Sequence, residues 1–423
     1  MRWPWSKAQP APARKALDIK GPLAELLRLS STSIQSGNPS AALELYEQSS
    51  AVYTPVSKIV DLFAGLRPVL EVKGEAVAAH PLLDLLQSPS PYMDAVLWRQ
   101  ALASDYLLTH EAYVIAVGTQ SSAPAELQVI SPRSVSMIED QETRTVGAYQ
   151  LIDCPMPGQY IRVPQGRAVR YRDGTLRELI PVRGYSVRNN AMLRGQSPLV
   201  AASAEVRQHI LGTKHNVSLL EKGGRVSLIF HFSEDMDQED FDALRDRVQE
   251  QYAGASNAGQ IGVTSGGKLD IKEIGVNNKD MDFANLQQAA RLSVAMAYKV
   301  PLPLVTTDAA TFSNYTSALV ALYDDAVLPL ADKLYGALGA ALLPRYKLDP
   351  KDSRITYDIM SIPALRTRAL TEAKLRMEIG VETDNEIRSV ISREPYAGGD
   401  IVLKPATLIP AGRDTDTDNA PIV

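Results

Sequence analysis

The sequence predicts an α+β fold. Apolar residues recur at helical spacing over several long stretches, whereas residues 112–173 form a series of short strand-like runs separated by turn residues. The chain has 423 residues, of which 45% are hydrophobic and 22% are charged, so it can bury cores in two or three domains. We expect residues 25–190 to form one α+β domain, followed by long helices with further strands between them.

The first half of the chain begins with helices and continues with strands. One helical stripe is apolar at Val56, Ile59, Val60 and Phe63. The stretch that begins at His80 predicts two further helices, which are split by Pro89 and Pro91. The segment AYVIAVG then predicts a strand, and strand-like runs such as LQVISP and TVGAYQLI follow it.

The second half begins with a helix start at Ser197 and Pro198, because serine caps helices and proline suits the first helical turn. This helix is expected to reach about Lys222. The segment RVSLIFHF predicts a strand, MDQEDFDALRDRVQEQYAG predicts a helix with acidic residues in its first turn, and Gly266-Gly267 predicts a hairpin.

A second long helix is expected over Asp282–Lys299, where Pro301 and Pro303 end it. A polar loop follows. A third long helix is expected over Ser317–Leu343, with a bend at Pro329.

The last elements are a strand in SRITYDIM and a helix in PALRTRALTEAKLRMEIG that ends at Gly380. Thr383 and Glu386 have the spacing of a capping box and predict the start of a short helix.

Composition excludes several classes of protein. The net charge of −5 argues against a nucleic-acid binder with a basic face. The single cysteine, Cys154, cannot form a disulfide framework, which favours a reducing cytoplasm. No secretory signal is visible at the N-terminus, and acidic residues and Pro329 interrupt the most apolar stretch, so no contact with a membrane is expected.

The motifs of catalysis are also missing from the sequence. There is no phosphate-binding loop and no G-x-S-x-G. His110 has no second histidine four residues later, and His209 and His215 are six residues apart, which does not suit a metal-ligand pair on a helix. We therefore predict no catalytic residue, no metal site and no cofactor, and we expect that the protein is not an enzyme.

Five stretches nevertheless occur in a characteristic order: SSAVYTPVSKIVDLFAGLRPVLEV, HPLLDLLQSPSPYMDAVLWRQALASDYLLTHEAYVIAVG, RGQSPLVAASAEV, FANLQQAARLSVAMAYKVPLPLV and EIGVETDNEIRSVISREPYAGGD. Together they resemble the portal proteins of tailed double-stranded DNA phages, in the branch of long-tailed phages and gene transfer agents. The resemblance covers about residues 45–403. It departs from the family at residues 110–113, where His-Glu-Ala-Tyr stands in place of the frequent Gly-Asn-Ala-Tyr.

The resemblance implies a portal-type subunit with a wing, a helical stem, an α/β clip, a tunnel loop and a short helical crown. The implied parts are a disordered basic arm (1–24), the wing (25–195), the first stem helix (196–222), the clip (223–279), the second stem helix (280–299), the tunnel loop (300–315), the long wing helix and strand (316–362), the crown (363–395) and a C-terminal tail (396–423).

The resemblance also implies a function and a set of partners. About twelve copies would form a closed ring with head-to-tail interfaces. The ring would lie at a capsid vertex in the virion, and double-stranded DNA would pass through it during packaging and ejection. The implied partners are the terminase large subunit, the major capsid protein and a head–tail adaptor, and the subunit would be made in the bacterial cytoplasm of the host.

Three groups of residues are the candidate functional positions under this resemblance. The DNA-channel loop would present Thr306, Thr307, Asp308, Thr311, Ser313 and Asn314. The anchors of that loop would be Pro301, Pro303, Leu304 and Phe312. The partner surface of the clip would present Glu234, Asp235, Asp237, Glu239 and Asp240. Weak polar contacts suit sliding DNA, since strong lysine or arginine contacts to phosphate would hold it in place.

Two alternatives stay open on the sequence alone. One is an enzyme, such as a hydrolase or nuclease, whose active site is not apparent. The other is a soluble morphogenetic adaptor or scaffold protein. The order of helix, α/β insertion, helix and loop between residues 197 and 315 favours the ring-forming protein.

Overall fold

The computed structural model describes residues 39–118, 123–139, 146–153, 158–161, 168–170, 176–186, 194–221, 228–232, 269–273, 283–305, 312–391 and 393–402. The predicted basic arm, Cys154, most of the predicted clip and the last part of the predicted tail lie outside these ranges. The predicted α+β architecture is confirmed.

The N-terminal half contains four helices and nine strands within the described ranges. The helices are α1 (Pro39–Gln48), α2 (Ser50–Ala64), α3 (Pro81–Gln87) and α4 (Ala95–Thr109). The strands are β1 (Pro68–Val72), β2 (Glu75–Val77), β3 (Glu111–Gly118), β4 (Glu126–Ile130), β5 (Val135–Glu139), β6 (Val146–Leu151), β7 (Gly158–Ile161), β8 (Ala168–Arg170) and β9 (Leu176–Arg183).

The C-terminal half is mostly helical where it is described. Its helices are α5 (Ser203–Glu221), α6 (Phe283–Ala297), α7 (Phe312–Leu322), α8 (Leu328–Leu342), α9 (Pro363–Ile379) and α10 (Asp384–Val390). Its strands are β10 (Leu228–Phe232), β11 (Leu269–Glu273) and β12 (Ser353–Tyr357). A π-helical segment, Tyr323–Val327, joins α7 to α8.

All the strand pairs described are antiparallel. The strands form sheets in the orders β12-β1-β2, β4-β3-β9-β8 and β5-β6-β7, with β10 and β11 as a separate pair. Because β12 pairs with β1, the strand at residues 353–357 belongs to the same sheet as the strand at residues 68–72. The N-terminal and C-terminal parts of the chain therefore share one structure.

Strand β3 lies between two hydrophobic clusters. Alternate residues point to opposite faces of a strand, so Ala112, Val114 and Ala116 join the main core. Tyr113 and Ile115 point the other way and pack in a second cluster. Burial on both faces explains why the predicted strand AYVIAVG is a continuous apolar run rather than an alternating one.

The predicted apolar stripe of Val56, Ile59 and Phe63 lies in α2, and a separate helix, α1, precedes it. α1 ends at Gln48 and α2 begins at Ser50, with the buried Ser49 between them. The hydroxyl oxygen of Ser49 lies 3.2 Å from Nδ1 of the buried His209 on α5. The break thus places a polar group where α5 can hydrogen-bond to it, an arrangement that helical periodicity does not encode.

The start of the helix predicted at Ser197 is wrong by six residues. Ser197 does act as a cap, since its hydroxyl accepts a hydrogen bond from the amide of Leu199 at 3.2 Å. That bond closes a short 3₁₀ turn over Pro198–Val200, and α5 begins only at Ser203. Capping and first-turn proline signals are shared by both helix types, so the sequence could not distinguish them.

The start of the third long helix is also wrong, because α7 begins at Phe312 rather than near Ser317. The bend expected at Pro329 stays a prediction, and a π-helical segment, Tyr323–Val327, lies just before this proline. A proline lacks an amide hydrogen and crowds the carbonyl four residues before it, and a wider turn there accommodates both effects.

One helical stretch, Asn314–Tyr346, is long and apolar enough to cross a membrane by length and composition alone. Half of its apolar window is buried inside the protein. Leu330, Leu334 and Leu338 lie in the main core, as expected for a core helix of a globular protein. It therefore gives no support to a membrane contact.

Candidate functional site

Helices α5 and α6 pack against each other and lead into the predicted tunnel loop. At about 1.5 Å per residue, their 19 and 15 residues correspond to about 28 Å and 22 Å. Tyr298, just after α6, is buried, and its hydroxyl donates a hydrogen bond to the carbonyl oxygen of Leu107 at 3.1 Å. This contact ties the end of α6 to α4.

The N-terminal end of the predicted loop is anchored. Lys299 adopts a left-handed conformation with φ of 57°, and Pro301 precedes a 3₁₀ turn over Leu302–Leu304. Leu304 and Val305 pack against the main core, whereas Leu302 is exposed. The predicted role of Leu304 as an anchor of a DNA-channel loop stays a prediction.

The C-terminal end of the predicted loop is helical. Phe312, Ser313 and Asn314 lie in the first turn of α7, where Asn314 is exposed. The assignment of these three residues to a loop conformation is therefore wrong, because the helix extends five residues farther toward the N-terminus than the sequence indicates. The polar loop residues Thr306, Thr307, Asp308 and Thr311 lie outside the described residues. Of the predicted tunnel loop, 300–315, the structure describes residues 300–305 and 312–315.

The five acidic residues predicted for the clip lie outside the described residues as well. They are Glu234, Asp235, Asp237, Glu239 and Asp240. Of the predicted clip, the structure describes the antiparallel pair of β10 and β11, with Phe230 opposite Ile271. This pair lies between α5 and α6 in the chain, so the strand predicted at RVSLIFHF is confirmed over its last five residues.

A buried carboxylate marks the junction between the N-terminal sheet and the segment that leads to α5. The side chain of Glu111 is 2% exposed and forms a salt bridge of 3.2 Å with Arg194. The amide of Gly195 donates a hydrogen bond to Glu111 Oε1 at 2.8 Å, and the hydroxyl of Tyr113 donates one to Oε2 at 3.0 Å. Arg194 also donates to the carbonyl oxygen of Val135 at 3.0 Å.

Burial dominates the ionisation of Glu111. Loss of solvent raises the pKa of its carboxyl group, and the charge of Arg194 and the hydrogen bonds from Gly195 and Tyr113 oppose that rise. A buried carboxylate with a cation and two further donors has its charge and its lone pairs satisfied, so removal of one partner would be costly. The arrangement is suited to fixing the segment 194–200 on the sheet.

His110 fills the space beside this junction. It ends α4 in a left-handed conformation with φ of 54°, and its ring stacks on Tyr106 with 5.3 Å between ring centroids. Gly184 and Gly195 approach it so closely that a Cβ atom on either would lie within 3 Å of His110 atoms. Burial lowers the pKa of His110, which favours the neutral imidazole. The histidine therefore has a packing role.

The sequence did not predict this junction, although both segments that form it had been singled out for other reasons. The HEAY segment was identified as a departure from a family pattern, and RGQSPL as a helix start. Glu111 and Arg194 are 83 residues apart, and a single sequence gives no signal that they pair. A charged residue in the apolar run EAYVIAVG was the available indication that it has a buried partner.

The capping box predicted at Thr383 and Glu386 is confirmed, with both reciprocal hydrogen bonds present. Next to it, Asn385 holds the following chain segment. Its side chain accepts a hydrogen bond from the amide of Tyr396 at 2.9 Å and donates to Asp400 at 2.8 Å. A Cβ atom on Gly399 would lie 2.3 Å from Asn385 Oδ1, which explains the need for glycine in the AGGD segment. Residues 396–402, the start of the predicted tail, thus pack on α10.

No group of three or more histidine, cysteine or acidic side chains suited to a metal ion occurs among the residues that the structure describes. The buried ionisable groups described above take part in packing and in hydrogen bonds between elements. Helices α5 and α6 pack against each other and against α2, and buried apolar residues of both helices belong to the main core.

The model of the family described as phage portal protein matches residues 50–391. A protein of Rickettsia bellii (strain RML369-C), named an uncharacterized protein, is 30% identical over 299 residues, which are 69% of this chain and 74% of that protein. An uncharacterized protein of Rickettsia felis (strain ATCC VR-1525 / URRWXCal2) is 27% identical over 365 residues, 85% of this chain and 90% of the relative.

Several solved structures share the fold. The neck of an empty gene transfer agent (GTA) particle, determined with C6 symmetry, contains a chain with a TM-score of 0.60 and 21% identity, covering 86% of this chain and 94% of that one. The neck of the native GTA particle with C12 symmetry gives a TM-score of 0.56 at 21% identity, with coverage of 88% and 93%. An HK97 family phage portal protein from Corynebacterium diphtheriae gives 0.50 at 15% identity, with coverage of 75% and 94%.

Proposed function

The chain belongs to the phage portal protein family, and we propose that it forms the ring at the capsid vertex through which double-stranded DNA enters and leaves the particle. The ring contains about twelve copies with head-to-tail interfaces. The C12 symmetry of the GTA neck with the same fold supports this number.

The observation that carries the proposal is the order of elements between residues 194 and 322. A buried junction at Glu111 and Arg194 fixes the start of this region, α5 and α6 pack together, and the core anchors residues 304–305 before α7 begins. A loop that contacts moving DNA needs a rigid scaffold to position it, and its contacts with the DNA must break and re-form easily. Residues 306–311 connect this anchored segment to the first turn of α7.

The DNA contact assigned to this segment is weak and polar. Thr306, Thr307, Asp308 and Thr311 offer hydroxyl and carboxylate groups, and no lysine or arginine occurs between Val300 and Tyr315. Arginine or lysine contacts to phosphate would give strong, salt-dependent binding, which would oppose translocation. Ser313 and Asn314 extend the same polar character onto the first turn of α7.

The stretch 234–240 is proposed as a docking surface for the terminase large subunit and later for the head–tail adaptor. Its five acidic residues suit a basic partner surface. Reversal of three of them, Asp235→Lys, Asp237→Lys and Glu239→Lys, is expected to weaken terminase binding at low salt and to leave ring assembly intact. Binding is measured by surface plasmon resonance on assembled rings.

A matched control for charge reversal combines Glu44→Lys, Glu75→Lys and Glu378→Lys, which also reverses three exposed acidic residues. This control is expected to bind terminase as the parent does. Rings that assemble normally and bind terminase with unchanged affinity after the reversal at residues 235–239 would contradict the docking proposal.

The subunit is proposed to act in the virion without catalytic activity of its own, after synthesis in the bacterial cytoplasm. The ATPase that drives packaging would belong to the terminase, and the major capsid protein would surround the ring. The family is structural, which supports this division of roles. A hydrolase or nuclease activity finds no support among the residues described.

End-on electron microscopy of the purified protein tests the proposed function. We expect closed rings with a central channel wide enough for duplex DNA, and no ATP hydrolysis or DNA cleavage above that of a blank preparation. Monomers and dimers at every protein concentration would contradict the ring. Hydrolysis abolished by a point substitution in this chain would contradict the structural role.

A further inference from the structure

Helix α9 carries large apolar side chains that the rest of its own subunit leaves exposed. Within ten residues it carries four large apolar side chains that are half or more exposed, namely Leu370 (50%), Leu375 (53%), Met377 (55%) and Ile379 (61%). A single exposed leucine is ordinary on a protein surface, but four on one short helix indicate an interaction site.

The four side chains form two separate flanks. At about 100° per residue, Leu370 and Met377 lie within about 20° of each other around the helix, and Leu375 and Ile379 lie within about 40°. The centres of the two pairs are about 170° apart by the same geometry. We name them flank 1 (Leu370 and Met377) and flank 2 (Leu375 and Ile379).

The two sides between the flanks have different surroundings. Leu365, Ala369 and Ala373 are buried and attach the helix to the rest of its subunit. On the opposite side Thr367, Thr371 and Lys374 are exposed, and Lys374 forms an exposed salt bridge with Glu378 at 3.7 Å. The helix therefore has an attached side, a solvent side and two flanks that carry these exposed apolar side chains, and flank 2 also carries Arg368, which forms an ion pair with Asp324.

Two nearly opposite apolar flanks match the requirement of a closed ring. In a cyclic assembly each subunit contacts its two neighbours through two different surfaces, and in a ring of about twelve the directions of those surfaces differ by about 150°. A two-fold dimer would need only one self-complementary surface. The observed arrangement of the flanks fits the ring and does not fit the dimer.

We propose that flank 1 of α9 packs against flank 2 of α9 in the next copy, so that these helices form a continuous collar in the assembly. The occupant of each flank is a second copy of this chain. The proposal rests on the proposed ring and specifies one of its interfaces. Helices packed side by side at a distance of about 8–10 Å would exclude water from both flanks.

Cysteine cross-linking in a Cys154→Ser background tests this arrangement. The double variant Leu370→Cys with Leu375→Cys, treated with a short bismaleimide, is expected to give a ladder of covalent oligomers up to the closed ring on a denaturing gel. Each single variant is expected to run as a monomer on the denaturing gel, because the flank that its cysteine faces in the next copy carries no cysteine. Co-expression of the two single variants, one of them tagged, is expected to give dimers that contain one subunit of each kind.

The matched control is Thr371→Cys with Lys374→Cys, which places two cysteines on the solvent side of the same helix. No ladder is expected from this pair. Dimers formed by a single variant alone would contradict the head-to-tail contact, since like flanks would then face each other.

Electron microscopy of the same samples separates the two proposals. Rings without a ladder from Leu370→Cys with Leu375→Cys would overturn the collar and leave the ring intact. A chain that forms no ring would overturn both.

As a second measurement, Leu370→Lys is expected to raise the protein concentration needed for ring formation by at least about tenfold, and Thr371→Lys is not. Equal effects of these two substitutions would also overturn the collar.

Discussion

Deletion of Asp308, Ala309 and Ala310 is expected to leave a ring that joins capsids at normal yield but packages little full-length DNA. The deletion falls between Val305, which packs against the core, and Phe312, where α7 begins, so both anchors stay in place. In the proposed ring, a shorter segment would reach less far into the channel and would lose polar contacts with DNA, while the packed residues on either side keep their sequence.

Genome content per assembled particle is the measurement that decides this prediction. The matched control removes residues 120–122 between β3 and β4, a connection of similar polarity far along the chain from the proposed channel. Control particles are expected to contain full-length DNA. Full-length DNA at normal yield in the particles with the 308–310 deletion would show that the segment is only a connector.

Gly195→Ala is expected to destabilise the subunit by about 3 kcal/mol or more, because overpacking of a tight site costs energy that the backbone cannot relieve. The new Cβ atom would lie 2.4 Å from the carbonyl oxygen of His110 and 2.8 Å from His110 Cβ. Any shift that relieves this clash moves the Gly195 amide away from Glu111, to which it donates a hydrogen bond of 2.8 Å. A buried carboxylate would then lose a donor.

Thermal denaturation followed by circular dichroism measures this effect, with Gly336→Ala as the control. Gly336 lies on α8, and no heavy atom lies within 4 Å of the point that a Cβ atom would occupy, so alanine there should stabilise the helix by up to about 1 kcal/mol. His110→Ala is not expected to rescue Gly195→Ala, since the closest contact is to a backbone oxygen. Equal denaturation midpoints for the Gly195→Ala variant and the parent would contradict the packing argument.

Local signals in the sequence were sufficient for much of the fold. The capping box at Thr383 and Glu386 was predicted because its two hydrogen bonds join residues only three positions apart. The end of α6 was placed within two residues by Pro301 and Pro303. The order of five motifs was sufficient for the family, which the family model matching residues 50–391 confirms.

Contacts between distant segments were decided by tertiary structure. The break at Ser49 depends on His209 on α5, and the charge of Glu111 depends on Arg194 and Gly195. Neither partner lies within one helical turn or one hairpin of the residue it contacts, so no periodicity in the sequence encodes the pairing. From the sequence alone, the partners of Ser49 and Glu111 therefore could not be identified.

The sequence by itself determined the α+β class, the main helices and strands and the portal family, because each depends on residues close in the chain or on the order of motifs. Tertiary structure decided that α7 begins at Phe312, that the Glu111 junction exists, and that Leu370 and Ile379 remain uncovered on α9. Helix periodicity places apolar side chains on a face, but only packing shows which faces the subunit itself covers. The faces that it leaves open are those available to a neighbouring copy.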